Sequence, residues 1–103
     1  MEKLVFNHVA ARRLPGARKQ AIIGVVASGN LEALFERTLD GAQCVVEIAT
    51  PIQGYRDLWA EVVSDFVERR SPGGLRISIN DGGARPDMVA LRLAQGARLM
   101  EQD

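Results

Sequence analysis

Read by the spacing of its apolar positions, the chain divides into stretches with a period near two and stretches with a period near 3.6. Leu4-Val5-Phe6 is a short β-prone run, and the segment from Arg12 to Lys19, with Pro15 and Gly16 inside it, reads as a loop. Ala21-Ile22-Ile23-Gly24-Val25-Val26-Ala27 is almost wholly apolar, which predicts a strand covered on both faces. It breaks at Ser28-Gly29-Asn30, three residues typical of a tight turn. Leu31, Ala33 and Phe35 then alternate against Glu32, Leu34 and Glu36, so a second strand returns toward Arg37 and leaves Ser28 at an exposed tip. Leu39-Asp40-Gly41-Ala42 makes the next turn, and the β-branched content of Gln43 to Ala49 extends the pattern to a meander of three strands.

After Thr50-Pro51 the period lengthens. Tyr55, Leu58, Trp59, Val62, Val63, Phe66 and Val67 recur at the three-and-four spacing of one helix face. Asp57 and Glu61 near the start, Arg69 and Arg70 at the end, and the stop Ser71-Pro72-Gly73-Gly74 all agree with that helix. Leu75, Ile77 and Ile79 alternate with Arg76, Ser78 and Asn80, a strand with one face in a core, ended by Asp81-Gly82-Gly83. Pro86 opens a last helix, with Val89, Leu93, Gly96, Ala97 and Met100 on one stripe, although Gly96 weakens it and Val89 to Leu93 would also alternate as a strand. The order of four strands, helix, strand, helix predicts an α+β fold: a mainly antiparallel sheet with two helices packed on one face, a single two-layer domain over residues 1–103.

Length changes this picture little, since 103 residues suit one hydrophobic core. Charge removes some partners: thirteen basic and thirteen acidic residues cancel, which argues against nucleic acid and against an anionic membrane surface. The one basic concentration, Arg12, Arg13, Arg18 and Lys19, has no interleaved aromatics and reads as a solvated loop. No segment is long and apolar enough for a signal-peptide core or a membrane span, and Cys44 is alone, so a cytoplasmic, reducing setting is expected.

Candidate chemistry gathers at Ser28. A phosphate loop would need Lys after Gly29, where the chain has Asn30 and Leu31; a nucleophile elbow would need glycine at Val26 and Asn30. A serine or cysteine nucleophile needs a base, and His8 is the one imidazole. His8 reads as an exposed polar residue near the end of a strand, and Cys44 as a buried small residue. One Cys and one His cannot form a structural zinc site, and Asp81, which could meet a cation among its glycines, reads as a turn residue. Trp59, on the apolar face of its helix, reads as core and not as a stacking platform. From the residues alone, Ser28-Gly29-Asn30 is either a plain turn or an exposed acceptor on which a separate transferase could act.

A resemblance bears on that choice. Gly24-Val25-Val26-Ala27-Ser28-Gly29-Asn30-Leu31-Glu32 is similar to the Gly-Val-Val-Gly-Ser-Gly-Asp-Leu-Glu segment of the acyl carrier (delta) subunits of malonate decarboxylase. The stretch from Asn80 to Gly96 resembles the same family's Asp-x-Gly-Ala-x-Pro-x-x-Val-x-Leu-Arg-Leu-x-Gln-Gly. The citrate lyase acyl carrier is a more distant relative, and a non-covalent assembly module is the remaining alternative. The resemblance covers essentially the whole chain and departs at Ala27 and at Asn30, where the family has Gly and Asp.

What the resemblance implies is a non-catalytic carrier. Ser28 would be joined through a phosphodiester to 2'-(5''-phosphoribosyl)-3'-dephospho-CoA, with Gly29 and Asn30 as the flanking turn. The thiol of that arm would carry acetyl and malonyl groups while malonate is decarboxylated to acetate and CO2. The implied partners are the acyl transferase (alpha) and decarboxylase (beta and gamma) subunits, together with the prosthetic-group transferase and the malonyl transferase. With Asn30 in place of Asp, a negative charge is missing beside the acceptor.

Overall fold

The alternating runs become strands because each can bury one row of side chains while the other row meets water. In the computed structural model, described for residues 1–102, the strands are β1 (Glu2–Val9), β2 (Gln20–Gly24), β3 (Leu31–Arg37), β4 (Gln43–Thr50) and β5 (Leu75–Asp81). Helix α1 (Arg56–Arg70) lies between β4 and β5, and α2 (Pro86–Met100) follows β5. The inward row includes Leu4 and Phe6, Val46 and Ile48, Ile77 and Ile79, and Ala33 and Phe35, all buried, and both helices pack on it. The fold is therefore α+β as the sequence predicts, with the opposite sheet face left open: Val5 and Ile22 are exposed there, beside an ion pair between Arg76 and Glu47.

Strand order departs from the expected meander. The sheet runs β1-β4-β5-β3-β2, so β3 and β4 are not neighbours; β5 lies between them. It pairs antiparallel with β3 and, after the α1 crossover, parallel with β4. The second correction concerns the apolar run at Ala21. The strand stops at Gly24, and residues 25–30 form a loop. Because β2 is an edge strand covered on one face by α2, Ile22 is 60% exposed, while Val25 and Val26 lie in the loop beyond it and are more than half exposed.

Gly96, a cost to the isolated helix, is what lets α2 seat. A Cβ there would overlap the ring of Phe35, so its absence brings the helix down onto β3. The Arg12–Lys19 loop is more than solvated chain: Leu14 within it is 1% exposed. The Arg37 guanidinium donates to the carbonyls of Leu14 (2.6 Å), Arg18 (3.0 Å), Pro15 (3.2 Å) and, at the end of α2, Met100 (2.7 Å). Burial, and then the charge of Arg13, lowers its pKa from the ordinary value.

Candidate functional site

Ser28 stands second in a four-residue turn whose ends are closed by a hydrogen bond from the Asn30 N–H to the Ala27 carbonyl, 2.9 Å. Gly29, the third residue, has φ +77°, which a type II turn requires at that position and which glycine adopts without strain. Ser28 is exposed, as is every residue from Gly24 to Gly29. The turn is nonetheless anchored. The Gly29 N–H donates to the Gly82 carbonyl at 3.0 Å, and the Gly82 N–H donates to the Asn30 carbonyl at 2.8 Å. A Cβ on Gly82 would overlap the Ala27 carbonyl oxygen, so this close approach needs glycine.

The Asn30 side chain is turned into this anchorage. Its Oδ1 accepts from the Leu31 N–H at 2.8 Å and from Nε of Arg92 at 3.1 Å, while Nη1 of Arg92 donates to Oε1 of Gln95 at 2.9 Å. Both side-chain partners of Arg92 are neutral amides. It takes part in none of the ion pairs among the described residues, so a positive charge is left uncompensated beside the acceptor turn. Local periodicity carries no signal for Arg92, because the contact spans 62 residues of chain.

His8 cannot act on Ser28. His8 lies in β1 and Ser28 follows β2, at opposite edges of the sheet, so four strand spacings of about 4.8 Å, roughly 19 Å in all, separate the two edges. The sheet does bring His8 and Cys44 together as directly opposed residues of β1 and β4. Cys44 is fully buried there, however, and burial pushes its thiol up to about 12, the reverse of what a nucleophile needs.

Asp81 proves to be more than a turn residue. Its Oδ1 accepts from the Ala84 N–H at 2.9 Å, as a turn residue's would, but its Oδ2 accepts from the hydroxyl of the fully buried Thr50 at 2.8 Å. It therefore ties the end of β5 to the end of β4. Beside it lies a cavity of about 270 Å³ whose walls include Tyr55, Leu58, Trp59 and Val62 of the α1 region and Val89 of α2. Trp59 is 7% exposed and belongs to the core, as expected, while also forming part of this wall.

The family model for the malonate decarboxylase delta subunit (MdcD) matches residues 18–100. The chain is 55% identical over 103 residues to a malonate decarboxylase acyl carrier protein of Bradyrhizobium diazoefficiens, covering all of this chain and 98% of that one. It is 47% identical over 97 residues to the protein of the same name from Burkholderia cepacia, covering 94% and 88%. Among solved structures it resembles a chain in a Pseudomonas malonate decarboxylase hetero-tetramer in complex with malonate. That match has a TM-score of 0.85 and 35% identity, and covers 97% of this chain and 99% of that one.

Proposed function

The chain belongs to the malonate decarboxylase delta subunit family, and from that premise we propose that it is the acyl carrier of such a complex, loaded through Ser28. The observation that carries the reading is the placement of Ser28: exposed, at the glycine-shaped tip of an anchored turn, and on the far edge of the sheet from the one imidazole. Such a hydroxyl has no internal base, so a separate prosthetic-group transferase would supply one. The residues fit the expected group. Glycine at position 82 keeps the turn pressed to the protein, and Arg92 offers a cation near the phosphodiester that would form.

When bound, a phosphoribosyl-dephospho-CoA arm joined to Ser28 would supply a thiol able to carry acyl groups as thioesters. The chain's own contribution is attachment, exposure and recognition. Its surface at the acceptor, where Val25 and Val26 are each more than half exposed, is apolar enough to be covered in turn by the acyl transferase and decarboxylase subunits. No helix among the described residues is long and apolar enough to cross a membrane.

Intact mass tests the reading. Expressed with its prosthetic-group transferase, the chain should gain the mass of the arm, and Ser28→Ala should not. A wild-type chain that stays unmodified under those conditions, or a Ser28→Ala chain that still gains the mass, contradicts it.

A further inference from the structure

The α1 stripe is wider than the core it serves. Trp59, Val63, Phe66 and Val67 are buried, but Tyr55 and Leu58 are 52% and 40% exposed, and with Val62 they form a second row that faces the cavity. That cavity shares a wall with the acceptor turn. Gly82 is hydrogen-bonded to the turn, its neighbour Asp81 lines the cavity, and a Cβ on Gly83 would sit 3.6 Å from Cδ1 of Ile52 on the same wall. Consecutive Cα atoms are 3.8 Å apart, so the cavity begins one residue from the group that holds Ser28 in place.

We propose that this cavity binds the adenine of the prosthetic group carried on Ser28, holding the base of the arm while the pantetheine end stays free. The proposal rests on the reading of Ser28 as the acceptor. Three observations choose the occupant. A volume of about 270 Å³ is at the small end for ligand sites, suited to one ring system and not to the whole arm. Its wall holds two aromatic side chains, Tyr55 and Trp59, on which a base can stack. Its buried charge is negative: Asp81 accepts one hydrogen bond on each oxygen and retains lone pairs for a further donor, such as an exocyclic amine. The Asp81 carboxylate in the wall turns away phosphates and a malonyl carboxylate, which leaves the uncharged parts of the arm.

The adenosine is joined to Ser28 through one phosphoribosyl unit, whereas the thiol lies beyond the pyrophosphate and pantetheine. A site beside the acceptor thus meets adenine first. Holding the thiol instead would compete with the partners that must reach it.

Trp59 is the one tryptophan of the chain and a wall of the cavity, so its emission reports occupancy without any enzyme assay. Holo chain, its loading first verified by intact mass, should differ from apo chain in Trp59 emission and show nuclear Overhauser contacts between adenine protons and Trp59 or Val89. Adenosine added to apo chain should shift the same emission with a dissociation constant that Tyr55→Ala weakens about tenfold, the size of a lost stacking contact. Leu91→Ala, exposed on α2 and absent from the cavity wall, should leave that constant unchanged. The proposal is overturned if verified holo chain shows no adenine contact to Trp59 or Val89, if Tyr55→Ala binds adenosine as wild type does, or if pantetheine gives the response and adenosine does not. A chain that never loads fails at the mass measurement and overturns the carrier reading instead.

Discussion

The two halves of the sheet are built to different tolerances. On the β2-β3-α2 side, Gly96 meets Phe35 without room for a methyl, Gly82 meets Ala27 in the same way, and Arg37 gathers four carbonyls. On the β1-β4-α1 side, Tyr55 and Leu58 of the α1 stripe are exposed and border a cavity. Ser28 belongs to the tight side. The contrast teaches that the acceptor is exposed without being loose: its backbone is fixed by glycine contacts and hydrogen bonds, and the open space lies next door.

Substitutions that add or remove one small group should reveal the difference. Gly96→Ala forces a Cβ into Phe35 and should cost about 3 kcal/mol, near the upper end for overpacking, whereas Leu58→Ala on the open α1 row should cost under about 1 kcal/mol. Urea unfolding of the two variants decides it. Equal losses would erase the contrast between the halves.

A smaller effect sharpens the account of the acceptor turn. Asn30→Asp keeps the acceptor for the Leu31 N–H and for Arg92 and gives the latter a charged partner, so it should stabilise by up to about 1 kcal/mol. For a domain of this size that is a rise in Tm of a few degrees. The gain should be present at neutral pH and vanish as the pH falls and the new carboxylate takes up its proton. A lower Tm at neutral pH would show that Arg92 is not held as described.

On the other half the expectation is nearly no effect at neutral pH. Native Cys44 should resist alkylation at pH 8 on the timescale in which unfolded chain reacts fully. Burial raises its pKa from 9.0 to about 12, so the folded state holds this proton more tightly than the unfolded one. The associated stability is complete below about pH 9 and is lost as the pH rises toward 12. Rapid alkylation of folded chain would contradict this.

The sequence made much of this legible and left out what depends on distant pairing. Alternation at Leu31-Ala33-Phe35 and at Leu75-Ile77-Ile79 located two strands, and the stripe from Tyr55 to Val67 located α1, because these periods are local. The place of β5 between β3 and β4 was not legible, since a meander assumes that strands adjacent in sequence pair, and the α1 crossover breaks that rule. Apolarity at Ile22, Val25 and Val26 pointed to a strand buried on both faces, but α2 covers only one face of β2 and the strand ends before Val25. The turn at Ser28 could be read from Gly29 and Asn30. Its anchors, Gly82 and Arg92, come from more than fifty residues away and could not. The width of the α1 stripe was visible from the start; only the packing shows which part of it faces the cavity.

The central claim is that Ser28 is the loaded residue, and trypsin offers a direct test. Cleavage after Lys19 and Arg37 releases residues 20–37, in which Ser28 is the one hydroxyl side chain. In chain produced with its transferase, that peptide should carry the full mass of the phosphoribosyl-dephospho-CoA group. The same mass on any other peptide, or its absence from chain shown to be active in a malonate decarboxylase complex, would contradict the account.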